Sequence, residues 1–148
     1  MDIGRRRIGL AISDPTGTLA RPLRTLERGT SDRQALTQLA GVIAELASEA
    51  DGLRLIVVGL PVRLDGSPTE LTAHVQQMVE GLRRRVQVPV ALQDERLSSH
   101  EAEARLAVNE RSWRARKARL DMAAAAVILQ DYLDAQGSPP APASLAEE

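Results

Sequence analysis

Between Arg54 and Pro61 the chain reads RLIVVGLP, and its apolar residues Leu55, Ile56, Val57 and Val58 run without a polar interruption. A strand with one wet face alternates polar and apolar positions; an unbroken β-branched run requires cover on both faces, which means helices on either side of a sheet. The rest of the chain supplies candidates for that cover. Ser31 and Gln34 have the spacing of a capping box, and Leu36, Leu39, Ala40, Ile43, Leu46 and Ala47 follow at helical intervals, predicting a helix that ends near Gly52. Leu71, Val75, Met78, Val79 and Leu82 predict a second helix over 69–85. Ser98 with Glu101 opens a third, carrying Ala102, Leu106 and Ala107, and 120–135 reads as a fourth, rich in Ala and Leu.

Strands alternate with these helices. The chain opens MDIGRRRIGLAISD, in which RIGLAISD runs into the turn signal Asp14-Pro15-Thr16-Gly17, and 19–26 would return antiparallel to it. VPVALQDE is a short last strand. Three antiparallel strands followed by crossover units imply an α/β fold, a mixed sheet flanked by helices, with functional residues at the carboxyl ends of its parallel strands. A chain of 148 residues suits one domain, here 1–136, followed by a flexible tail over 137–148 that reads GSPPAPASLAEE.

Several function classes fall away. There is no cysteine, and His74 and His100 are far apart without ligand spacing, so a thiolate or histidine zinc site is not expected. No apolar run approaches the roughly 20 residues that span a bilayer, and no secretory leader precedes the first motif, so a soluble, cytoplasmic protein without membrane partners is expected. The net charge of −1 argues neither for nor against nucleic acid, and eighteen of nineteen basic residues are arginine. Trp113 and Tyr132 are the only aromatic residues, which disfavours base stacking as the main binding mode.

Three carboxylates fall where the crevice of such a sheet should lie: Asp2 on the first strand, Glu95 at the end of the last strand, and Asp121 in the final helix. Without His or Cys they make an oxygen-rich site suited to Mg²⁺ or Mn²⁺, and two such ions about 4 Å apart can activate water and stabilise the leaving oxygen in phosphodiester hydrolysis. The ordinary reading of an acid at a strand end or helix start is a cap, which applies to Glu95 and Asp121 taken singly. Asp2 resists it, because an acid inside a central strand is costly unless paired or metal-bound. Asp94, Asp65 and Asp14 rank below these three as site candidates. The basic strip Arg111, Arg114, Arg116, Lys117 and Arg119 is either a solvated helix face or a hold on a phosphate backbone, and Arg5, Arg6 and Arg7 read as a hairpin tip.

Four blocks together carry a resemblance. DIGRRRIGLAISD resembles the first motif of the YqgF family, also called RuvX, of Holliday-junction resolvases and pre-16S rRNA processing nucleases; VVGLPVRLDGSPTE, DERLSSHEAE and LDMAAAAVILQDYLD resemble its later motifs in order. The resemblance implies an RNase H-like fold with a five-stranded sheet of order 3-2-1-4-5 and a catalytic, metal-binding site of Asp2, Glu95 and Asp121. It also implies a cleft bordered by Gly59-Leu60-Pro61 and Asp65-Gly66-Ser67, with Arg96 meeting a carboxylate or a phosphate. The nucleic-acid contacts expected on this reading are Arg6, Arg7, Arg96 and the basic strip, and the partner is precursor rRNA or branched DNA, bound by a monomer or a homodimer. Gly4 and Gly9 leave room for close backbone approach.

Two rivals remain open at this point. The actin-like ATPases and sugar kinases share the sheet but need a second domain and a second phosphate loop, so length argues against them; a non-catalytic RNA-binding assembly factor would keep the same residues. The family carries several apolar residues ahead of its first aspartate where this chain has Met1 alone. A late start is therefore expected; the alternative places the α-amino group close to the metal site, in competition with a cation.

Overall fold

The computed structural model describes residues 1–95 and 113–137, with side chains over 1–95 and 118–136. Its elements are β1 (Asp2–Ile3), β2 (Arg7–Ser13), β3 (Ala20–Glu27), α1 (Asp32–Ser48), β4 (Ile56–Pro61), α2 (Glu70–Arg83), β5 (Val90–Glu95) and α3 (Trp113–Gly137). The helix expected from Ser98 and Glu101, the tail over 138–148, and Arg96 and Arg111 lie outside the described residues, as do the side chains of Arg114, Arg116 and Lys117.

The α/β class and mixed strand directions follow the expectation, whereas the single five-stranded sheet takes the form of two sheets. One is antiparallel, in the order β1-β2-β3; the other is the parallel pair β4-β5, with Ile56 opposite Val90 and Pro61 opposite Glu95. The division has a local cause. With β1 only two residues long, its bonding to β4 is confined to Met1, whose ammonium donates to the Val57 carbonyl at 2.7 Å and whose carbonyl accepts from the Gly59 N–H at 3.0 Å. That is the bonding of one parallel bridge, too little for a ladder.

Ile56, Val57 and Val58 of the apolar run are buried as its composition demands, and Leu55 is half-buried. Val58 is wholly inaccessible, and one face of the sheets packs on Leu36, Leu39 and Ile43 of α1 and on Val75, Met78 and Leu82 of α2. The opposite face takes α3, which lies chiefly along β2 and β3 and buries Leu120, Ala124, Ala125 and Ile128. Two glycines set how closely it lies. A β-carbon at Gly9 would stand 1.9 Å from the Asp121 carbonyl oxygen, and one at Gly59 would stand 2.6 Å from Ile128 Cδ1. Only glycine lets the helix backbone rest on β2 at this distance.

Local signals act with small differences from the sequence expectation. Ser31 caps α1 by accepting from the Gln34 N–H at 3.2 Å, but the Gln34 side chain reaches back to the Thr30 N–H at 2.7 Å rather than to Ser31. The helix stops at Ser48, four residues before Gly52. α2 has a reciprocal cap of Thr69 and Thr72, and the Thr72 hydroxyl also donates to the Pro61 carbonyl, tying the helix start to the end of β4. α3 begins at Trp113, seven residues ahead of the expected start, through Arg, Ala, Lys and Leu, all strong helix formers. Arg28, buried, donates to the carbonyls of Gly4 at 3.0 Å and Arg5 at 3.3 Å and pairs with Asp32, so it clamps the β1–β2 turn against α1.

Candidate active site

Asp2, Gly9 and Asp121 are brought together by two approaches. Asp2 pairs with Gly9 across the β1–β2 ladder, so its side chain lies on the same face as the absent Gly9 side chain. Asp121 of α3 rests on that same glycine, with its carbonyl where a β-carbon would be. Glu95 arrives from β5 at the pairing of Glu95 with Pro61, and its Cγ lies 3.6 Å from the β-carbon position of Gly59, on the face covered by α3. Asp2 and Glu95 therefore lie on the face of the sheets that α3 covers, and α3 itself carries Asp121.

Electrostatics report the same convergence. Burial raises Asp2 from 3.8 to about 6, with the Asp121 charge adding to the rise and the Met1 ammonium opposing it. Burial raises Glu95 from 4.5 to about 7, with Asp131 and then Asp2 contributing, again against the ammonium. The ammonium itself falls from 8.0 to about 6, because burial outweighs the support of Asp2 and Glu95. Like charges crowd a site short of water, and each prefers to shed its charge. Both Glu95 oxygens are inaccessible to solvent and have no hydrogen-bond partner among the described residues.

Arg7 has a different place from the hairpin tip. Its Nε donates to Asp121 Oδ2 at 2.8 Å, with both side chains about three-quarters covered. Arg5 and Arg6 are exposed on the turn, and Arg119 is exposed on α3. Asp131 was missed in the sequence: ten residues place it about 80° around α3 from Asp121, and only its charge acting on Glu95 brings it into the site. Asp14 belongs elsewhere: its carboxylate accepts from the N–H groups of Thr18 and Leu19 and from Thr16, which organises the β2–β3 turn and holds its pKa low. Asp65 similarly accepts from Ser67, at 2.9 Å from its N–H and 2.6 Å from its hydroxyl. Asp94 is exposed on β5.

Among the described residues, no three His, Cys, Asp or Glu side chains close around a single point that would hold an ion. The donor chemistry nevertheless fits a hard divalent cation: the two buried carboxylate oxygens of Glu95 have no hydrogen-bond partner among the described residues, and the charge of Asp2 acts on the same carboxylate. No helix among the described residues is long and apolar enough to cross a membrane.

An α/β domain with a mixed arrangement of strands, helices on both faces and carboxylates gathered under the last helix fits the RNase H-like class. The chain belongs to the RuvX family, also called YqgF, whose model, described as Holliday junction resolvase, matches residues 1–135. The curated relatives share a different description among themselves. A protein of Chloroflexus aggregans called "Putative pre-16S rRNA nuclease" is 40% identical over 139 residues, covering 94% of each chain. Proteins of the same name from Nitratidesulfovibrio vulgaris, 42% identical over 143 residues with 97% of this chain and 96% of the relative covered, and from an Anaeromyxobacter species, 42% over 134 residues with 90% and 93% covered, are similar to the same extent.

Proposed function

We propose that this protein is a metal-dependent nuclease that hydrolyses phosphodiester bonds in structured nucleic acid, with precursor 16S rRNA, trimmed at its 5′ end in the cytoplasm, as its substrate. The observation that carries the reading is that Asp2 and Glu95 lie on the face covered by α3, which carries Asp121, together with buried Glu95 oxygens that lack a hydrogen-bond partner among the described residues. In this reading Asp2, Glu95 and Asp121 hold Mg²⁺ or Mn²⁺, which supplies an activated water and charge stabilisation at the leaving oxygen. Asp2 and Glu95 offer the ligand oxygens, and Arg7 fixes the rotamer of Asp121 and balances its charge until substrate or cation approaches. The short β1–β4 bridge at Met1 supports an effective sheet order of 3-2-1-4-5. Arg6, Arg96, Arg111, Arg114, Arg116, Lys117 and Arg119 are assigned to the substrate backbone, where neutralising any one phosphate-binding side chain would lower the salt slope of binding by about 1.

The description of the family model favours a second reading, resolution of four-way DNA junctions, which would call for a homodimer able to make paired cuts. One assay separates them. Purified protein with Mn²⁺ is presented with a precursor rRNA fragment, a four-way junction and a plain duplex, alongside Asp2→Asn, Glu95→Gln and Asp121→Asn. Cleavage of the rRNA fragment by the parent and by none of the variants is the expected result; undiminished cleavage by all three variants sinks the site, and preference for the junction transfers the reading to DNA.

A further inference from the structure

The loop that joins β4 to α2 is braced from end to end. Val62 bridges to Pro68, the Arg63 N–H donates to the Ser67 carbonyl at 2.9 Å, and the Gly66 N–H donates to the Arg63 carbonyl at 2.8 Å. Gly66 has a φ of +86°, the left-handed conformation that lets a tight hairpin close. Side chains add to the brace: Arg63 Nε donates to the Pro68 carbonyl at 3.3 Å, and the Asp65 carboxylate is turned back onto Ser67. The base is fixed as well, by the Thr72 hydroxyl on the Pro61 carbonyl and by the Val62 N–H on the Glu95 carbonyl at 3.5 Å. Yet the tip is apolar. Leu64 is 67% exposed at a turn position where polar residues are usual, and among the large apolar side chains described only Leu19, at 64%, compares. Leu19 lies in the β2–β3 turn, at the opposite end of the sheets from the β1–β2 turn. Leu64 stands at the site end. Pro61 pairs with Glu95, and Arg5 of the β1–β2 turn reaches Glu70 at the start of α2 at 3.5 Å.

We propose that Leu64 is a wedge, whose side chain enters the base stack of the bound nucleic acid close to the bond that the acids address. The inference rests on the nuclease reading for its substrate. Reach sets the distance: from Pro61 to Leu64 the chain advances at most about 10 Å, which is about three base steps along one strand. Leucine suits the task, because an apolar side chain can stand in for a stacked base without needing a hydrogen-bond partner. Rigidity suits it too. A loose loop would lose conformational entropy on each binding event, whereas a turn pinned at its base and across its middle presents Leu64 already in place. Charge permits close approach: Arg5, Arg6 and Arg63 are exposed at this end and can take phosphates, while Asp65 is occupied by Ser67. A wedge also explains a preference for structured substrates. The base pair beside a branch or a single-stranded end has lost one stacking neighbour, so it opens at lower cost than a pair inside a duplex.

The parent chain, Leu64→Ala, Leu64→Met and the control Leu19→Ala test it. The fluorescent base 2-aminopurine, which brightens on unstacking, replaces single bases in the pairs flanking the single-stranded end of a precursor rRNA fragment and, in a second arm, the branch of a four-way DNA junction. Binding is read in Ca²⁺ and cleavage in Mn²⁺. The parent, Leu64→Met and Leu19→Ala should brighten at least one probe position by about twofold or more, and Leu64→Ala should bind without brightening any. In cleavage, Leu64→Ala should lose at least about 10-fold more rate on the paired substrate than on the same substrate carrying a mismatch at the probed pair, because an open pair needs no wedge. Equal losses on the two substrates, or brightening by Leu64→Ala equal to that of the parent, overturn the proposal. So does a fall of more than about 3 °C in the thermal midpoint of Leu64→Ala, which would show that the side chain packs on protein. Cleavage by a parent that unstacks no base overturns the wedge and leaves the nuclease reading; unstacking by a parent that cleaves nothing does the reverse. A parent that binds neither nucleic acid overturns both.

Discussion

Substituting Gly9→Ala tests whether α3 is seated on β2 as described, because the added carbon has no side chain to push aside. It would stand 1.9 Å from the Asp121 carbonyl oxygen and 2.3 Å from its carbonyl carbon, whereas ordinary van der Waals approach starts near 3.4 Å. Both obstacles are backbone, so helix or strand must yield by about 1.5 Å. Overpacking of this kind costs about 1–3 kcal/mol, and the absence of a rotamer escape places this case at the upper end. Urea unfolding should therefore show a loss of about 2–3 kcal/mol. The site responds too, since a displacement on the order of 1 Å of a reacting group can lower a rate by about 100-fold. Gly41→Ala is the control: this helical glycine has nothing within 4 Å of a β-carbon, so the same substitution should stabilise by about 0.4–1 kcal/mol. A Gly9→Ala protein within 0.5 kcal/mol of the parent, cleaving at the parental rate, would refute the seating of α3 and with it the placement of Asp121.

Stability without metal should pass through a minimum near pH 6–7. Asp2 and Glu95 bind protons more tightly when folded, so stability is lost as pH rises from about 4 through about 6 and 7; the ammonium binds its proton less tightly when folded, so stability returns between about 6 and 8. Thermal midpoints across this range check the curve, and millimolar Mn²⁺ should flatten its falling limb by competing with protons. Asp2→Asn should stabilise the metal-free protein at pH 8, by up to about 3 kcal/mol from the rise of 3.8 to about 6, while removing cleavage; a destabilised variant would contradict the burial of a bare charge there. Arg28→Leu should cost about 3 kcal/mol in urea unfolding, because the Gly4 and Arg5 carbonyls and Asp32 lose their common partner.

The α/β class was legible in the chain alone, because Leu55–Val58 admits no solvated face and the helices that cover it announce themselves by spacing and caps. Asp2 stood out as well, since it stands in a strand where an unpaired carboxylate has no ordinary explanation, whereas Glu95 and Asp121 were singled out by the motifs they share with the family and not by position. What neutralises and crowds them emerged only in the folded arrangement. Arg7 and Asp121 are 114 residues apart, and no local pattern says that a residue of a hairpin tip will turn onto a helix. Asp131 enters the field of Glu95 only because α3 lies across both sheets, and Gly9 is a seat for Asp121 only once that helix is in place. The division into two sheets was equally hidden, because strand pairing depends on how far β1 reaches between β2 and β4. Periodicity is a property of neighbours along the chain, whereas charge, packing and register depend on which segments fold against each other.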